Sequence, residues 1–219
     1  MTAHIIERAG EQLLLHPERA LYWPAQRMLM VADVHFGKGA VFRRAGIPVP
    51  SGDTLEDLRR LDTLIDHFSP ERLLVLGDLI HGHATSRSEW VAHVRGWRDA
   101  HAAVSVELVA GNHDRHFDCR TLGITVHDDN LRVGPLLLAH HPHTDGQGYV
   151  LAGHVHPGVV LRDGWRRHRL PAFCFDATTG LLPAFGTWTG LHEMAPAQGR
   201  ELIAVTPAGL VPVPATRAD

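Results

Sequence analysis

The chain is predicted to fold as an α/β sandwich, with two packed mixed β-sheets flanked by helices. Three observations lead there. Short apolar runs, each the length of a buried strand, recur along the whole chain. In the first half they alternate with amphipathic helical patterns, and in the second half they follow one another without helices. The length, 219 residues, suits one large domain with a sizeable core, so a single domain over 1–219 is expected.

Taken in order, residues 5–8 and 12–15 flank Ala9-Gly10-Glu11 and read as a hairpin. Residues 20–23 add a short strand before Pro24, and 28–32 (M-L-M-V-A) form the first fully buried one. The stretch 36–50, F-G-K-G-A-V-F-R-R-A-G-I-P-V-P, is punctuated by Gly and Pro; it reads as a functional loop with about one helical turn. Residues 54–68 place Leu55, Leu58, Leu61, Leu64 and Ile65 on one helical face, with Asp53 or Ser51 as the cap. A strand at 73–76 precedes a second helix at 86–101, which carries Trp90, Val94 and Trp97 on one face. Strands follow at 104–109, 124–126, 131–133, 136–139, 149–152, 159–161, 172–175, 181–185 and 202–205. The tail 207–219 is expected to be irregular.

The chemistry lies where the apolar runs end. M-L-M-V-A delivers Asp33 and His35, and L-L-V-L-G delivers Asp78 with His81 three residues on. V-E-L-V-A-G delivers Asn112, His113 and Asp114; L-L-L-A delivers His140; Y-V-L-A-G delivers His154 and His156. Each motif alone is weak, since a lone His beside a strand is usually a satisfied core or surface residue. Five strand ends carrying Asp, Asn or His together point to a metal site at one sheet edge. Oxygen and nitrogen ligands without cysteine suit manganese, iron or zinc in an expanded geometry rather than a tetrahedral structural zinc. In D-x-H on an extended segment the two side chains point the same way, so Asp33 and His35 can reach one ion. The same holds for His154 and His156 unless the Gly153 turn sends them to separate ions. Asp78, the central carboxylate, is read as shared by two ions, a spacing suited to clamping a phosphoryl group with a water acidified between them. His113 need not be a ligand and can face the leaving group as a proton donor.

D-x-H, G-D-x-x-H, G-N-H-D, a strand-ending His and G-H-x-H, spread over 28–156, resemble the binuclear metallophosphoesterase (calcineurin-like) superfamily. The resemblance implies the metallophosphoesterase sandwich. It implies one ion held by Asp33, His35, Asp78 and His156, and a second by Asp78, Asn112, His140 and His154. His113 is implied as the transition-state or leaving-group residue, oriented by Asp114. His141 and His143 stand beside His140 as alternative ligands. The stretches D-V-H-F-G-K-G-A-V-F-R-R-A-G-I-P-V-P-S-G and L-A-G-H-V-H-P-G are similar to the bacterial DNA-repair group encoded beside a DNA ligase, a helicase and a second nuclease. That group implies a manganese-dependent single-strand DNA endonuclease and phosphodiesterase. His81 is a catalytic candidate on the same footing.

Charge adds a little. The formal net charge of −3 argues against a protein that coats nucleic acid non-specifically. Lys38 is the only lysine, and with Arg43 and Arg44 it follows the first metal motif, where a nucleic-acid backbone could be held. A GC-rich genome also replaces Lys with Arg, and a solvated loop face accounts for the arginine pair equally well. Arg162, Arg166, Arg167 and Arg169 surround Trp165 in a second basic run, which reads as a solvated hairpin. Cys119 and Cys174 form no metal or redox pattern, and with no signal sequence or spanning segment a cytoplasmic protein away from membranes is expected. Two other functions remain: a phosphomonoesterase or dinucleotide-polyphosphate or cyclic-nucleotide hydrolase using the same metals, and a non-catalytic interaction module, against which the intact ligand set speaks.

Overall fold

A computed structural model describes residues 4–82 and 88–215. The chain opens with an antiparallel meander, β1 (His4–Arg8), β2 (Glu11–His16), β3 (Ala20–Trp23) and β4 (Met28–Ala32). Helices α1 (Lys38–Arg44) and α2 (Asp53–Phe68) lead to β5 (Arg72–Leu76), and α3 (Glu89–Ala100) leads to β6 (Ser105–Val109) and then β7 (Thr125–His127). Strands β4 to β7 are parallel, so the first sheet runs β1 to β7 in chain order.

The second half contributes β8 (Leu131–Val133), β9 (Leu136–Ala139), β10 (Tyr149–Ala152), β11 (Pro157–Asp163), β12 (Arg166–Phe175) and β13 (Thr179–Leu181). It finishes with β14 (His192–Glu193), β15 (Glu201–Thr206) and β16 (Gly209–Val213). These build a mixed sheet ordered β14-β11-β12-β13-β10-β9-β8, with β15 on β12 and β16 on β15. Strand alternation decides how the sheets pack. Met28, Met30 and Ala32 of β4 face the second sheet with Leu138, Leu151, Phe173 and Ile203, while Leu29 and Val31 face α2 and α3. The helices therefore cover the outer face of the first sheet. The outer face of the second is closed over Val150, Ala152 and Cys174 by Val155, Leu170, Met194 and Val213.

Several expectations are corrected. The tail 207–219 is not irregular throughout: Gly209–Val213 pairs with β15, and Pro212 is tolerated because β16 is an edge strand. Residues 38–44 form a full helix rather than one turn. Helix α2 has Gly52 at its N-cap and no side-chain cap, because the Asp53 carboxylate accepts instead from the Gly39 amide at 3.0 Å. Residues 182–185 leave the sheet; the Phe185 amide donates to Ala32 O, and Ala184 bridges to β4, so this segment ties the layers together. The start expected for α3 at residue 86 lies outside the described residues, and the helix is described from Glu89.

Candidate metal centre

The C-terminal ends of β4, β5, β6, β9 and β10 converge on one edge between the sheets. Beyond β4 and β5 the chains stay paired, since His35 N donates to Asp78 O at 2.8 Å and Phe36 N to Leu79 O at 2.8 Å. The ligand candidates do not lie on extended backbone. Asp33, His35, Asp78, His154 and His156 all have φ between 49° and 66°, the left-handed region that non-glycine residues avoid. Asp33 and His35 therefore do not converge through the alternation of an extended D-x-H segment, as expected, but because both residues turn left-handed. Such strain persists where the surroundings over-determine it, and functional sites are where it collects.

Glycines at the strand ends make the convergence possible. Gly77, at φ +77°, lies where a Cβ would meet His140 Nδ1 at 1.9 Å, so His140 packs directly on the β5 turn. A Cβ on Gly153 would meet Asp33 Oδ2 at 2.7 Å and Leu76 O at 2.7 Å, so the β10 end closes over β4 and β5 only without a side chain.

The side chains gather in two overlapping groups. In one, His156 Nε2 lies 3.4 Å from His35 Nε2 and 3.7 Å from Asp33 Oδ1, and His35 Nε2 lies 4.0 Å from Asp78 Oδ2. In the other, His140 Nε2 lies 3.0 Å from Asn112 Oδ1, 3.1 Å from His154 Nδ1 and 3.6 Å from Asp78 Oδ2. Asp78 reaches both groups. His154 and His156 diverge at the Gly153 turn, one to each group. Asp33 is fully buried; its Oδ2 accepts from His154 N at 2.8 Å, while its Oδ1 has no hydrogen-bond partner among the described residues. A buried carboxylate oxygen without a donor is costly, and a divalent cation satisfies it. Burial, with Lys38 next in effect, pushes the His35 imidazole far below its ordinary range, which favours the neutral form a metal requires. The residues present therefore fit divalent metal ions.

Around this core, the neighbours of the strand-end residues separate. His140 is buried within the site; His143 is exposed, its ring nitrogen 3.0 Å from His141 O and its own carbonyl accepting from the Thr179 hydroxyl. His141, the alternative named beside it in the sequence, is also brought close: its exposed ring lies 4.0 Å from that of His154, and with His140 and His154 it forms a group that could hold a metal ion. Asp114 does not orient His113. Its carboxylate accepts from Gly111 N at 2.8 Å and Ile80 N at 3.0 Å, because those buried amides at the two turns need an acceptor. His113 is positioned otherwise: its amide donates to Asp78 Oδ1 at 2.9 Å and its ring lies 4.6 Å from that of His81. The His113 side chain is 38% exposed, at the mouth of the site. His81 Nδ1 is 3.2 Å from His35 Nδ1, and burial lowers its pKa to about 4.

The cationic candidates divide. Lys38 is half-buried, and burial lowers its pKa while Asp33 and Asp78 act to raise it, so its ammonium lies within the field of the metal-site carboxylates. Arg43 instead donates to Pro50 O at 2.7 Å and lies 3.5 Å from Asp53. With Arg44 it lines a separate cavity of about 340 Å³ between α1, α2 and the start of α3. The α1 helix thus carries both arginines, the candidates for holding a nucleic-acid backbone, onto the wall of that cavity.

No protein-family model matches the chain, and no curated protein matches it. Among solved structures, the chain is similar to the nuclease MPE of Pseudomonas putida, at 39% identity and a TM-score of 0.85, covering 97% of this chain and 100% of that one. It is also similar to Yfce, a phosphoesterase from E. coli, at 16% identity and a TM-score of 0.44, over 88% of this chain and 94% of that one. The chain belongs to the calcineurin-like metallophosphoesterase family.

Proposed function

We propose that this protein is a metal-dependent phosphodiesterase that cuts single-stranded DNA internally, within a repair pathway shared with a DNA ligase, a helicase and a second nuclease. Whole-length similarity to a nuclease, with 39% identity over 97% of the chain, carries the reading. Two ions, with manganese the best suited, fit Asp33, His35, Asp78 and His156 on one side and Asp78, Asn112, His140 and His154 on the other. When bound, they supply Lewis-acid polarisation of the phosphoryl group and acidify a water for attack. The protein's own residues do the rest. Lys38 attracts the diester's negative charge to the bed. His113, at the mouth, donates a proton to the departing sugar oxygen. His81 stays neutral near pH 7 because of its burial, and it positions the phosphate beside His113 rather than supplying the proton.

The test is incubation of the manganese-loaded protein with circular single-stranded DNA, duplex DNA, RNA and small mono- and diesters. Conversion of the circle to linear strands supports the reading. Hydrolysis of monoesters with the circle left intact contradicts it.

A further inference from the structure

The loop carrying His154 and His156 runs straight into β11, whose hairpin with β12 outgrows the sheet. Strand β11 meets β14 only at Pro157 and Gly158, and β12 meets β13 and β15 only from Ala172 to Phe175. Between these limits, residues 159–170 pair only with each other, as a two-stranded ribbon. Its base is anchored, since Val159, Leu161 and Leu170 pack into the core of the second sheet. Its tip is not. Gly164, at φ +57°, opens a two-residue turn that sets Trp165 at the apex, 87% exposed.

An indole in water is an unusual choice for a tip whose only task is to close a turn. Its setting is equally one-sided. Arg162 is directly opposite Arg167, and Arg169 opposite Val160, so the register places three arginines on one face of the ribbon. Arg166 lies on the Trp165 ring, its Cζ 5.4 Å from the centroid. Arg169 is tied to Leu191 O, while Arg162, Arg166 and Arg167 are exposed, Arg166 on the opposite face of the ribbon in register with Asp163. Exposed arginines beside an exposed aromatic ring are the chemistry of single-strand binding, in which charge follows the backbone and the ring stacks on a base.

We propose that the β11–β12 ribbon is a binding arm for single-stranded DNA, holding the strand that leads away from the metal centre. This deepens the nuclease reading and rests on it. At about 3.3 Å per residue, β11 carries Trp165 roughly 20 Å beyond the loop of His154 and His156. At about 3.4 Å per stacked nucleotide that span is on the order of six nucleotides. The arm therefore serves long strands and has nothing to hold on short ones.

The test compares wild type, Trp165→Ala and the triple variant Arg162→Ala/Arg166→Ala/Arg167→Ala on three substrates, an 18-mer and a 4-mer of thymidylate and an activated small diester. Trp165→Ala should raise KM on the 18-mer by roughly 5- to 100-fold with kcat unchanged, the usual cost of removing one stacking platform. The triple variant should also flatten the salt dependence of log KM by about two units, near 0.7 for each phosphate that is no longer neutralised. Turnover of the 4-mer and the small diester should match wild type, which shows that fold and metal site are intact. Unchanged KM on the 18-mer would overturn the proposal and leave the ribbon for an acidic protein partner. Equal losses on all three substrates would overturn it too. Failure of the nuclease reading itself looks different, because wild type would then leave the 18-mer uncut.

Discussion

Asp78 holds the site together through one carboxylate: Oδ1 accepts from the His113 amide, and Oδ2 faces His35, His113 and His140. Asp78→Ala removes the group common to both ligand sets. Hydrolysis of every substrate should fall by about 10³-fold or more, since the metals' electrostatic contribution is worth several kcal/mol; steady-state rates check this. His113→Ala is expected to be selective. A DNA alkoxide needs protonation to leave and p-nitrophenolate does not, so DNA cleavage should drop by roughly 10²- to 10⁴-fold while an activated aryl diester is far less affected. Equal losses on both, with metal content intact, would assign His113 to the phosphoryl group instead. At this scale the gathering of Asp, Asn and His side chains is legible in the sequence because five strand ends repeat one chemistry. Asp114 misleads: G-N-H-D suggests a pair of catalytic neighbours, and only the folded turn shows two buried amides claiming its carboxylate.

Between residues and fold stand the strand-end turns. Gly77→Ala would place a Cβ 1.9 Å from His140 Nδ1 in backbone that disfavours any side chain. The expected result is metal affinity weaker by about 10- to 100-fold, typical of disturbing what orients a ligand, in a protein that still folds. Metal titration with a circular-dichroism melt on the same sample measures both. Most elements are readable because a run such as M-L-M-V-A can only be a buried strand between two layers. Helix α1 hides in the sequence because Gly37 and Gly39 look like breakers, although Gly39 in fact leaves room for Asp53, whose Oδ1 a Cβ would meet at 2.5 Å. Strand β16 hides because Pro212 counts against a strand everywhere except at an edge. Strand β14, two residues long, carries no periodicity to read.

Across the whole molecule, two buried carboxylates and several imidazoles sit where two sheets meet, an arrangement that costs stability until cations enter. Ions that bind only the native state stabilise it by mass action, by about 2.7 kcal/mol at a hundredfold excess over Kd. Manganese should therefore raise Tm and a chelator lower it. Asp33→Asn should do the reverse in the chelated protein, raising Tm by relieving the unpaired Oδ1, while blunting the manganese response. Calorimetry on the four samples decides this. With only oxygen and nitrogen ligands, manganese should also activate far more than magnesium, and zinc should bind tightly yet support less turnover. The two-layer architecture can be anticipated from helices being confined to the first half of the chain. That they cover only one outer face, and that the second sheet extends a bare ribbon, depends on register and strand length, which apolar runs do not encode.

The direct measurement is anomalous diffraction from crystals soaked in manganese. The account predicts two peaks at the edge where β4, β5, β6, β9 and β10 end, with Asp78 within bonding distance of both. A single peak, or two peaks that Asp78 does not share, would contradict it.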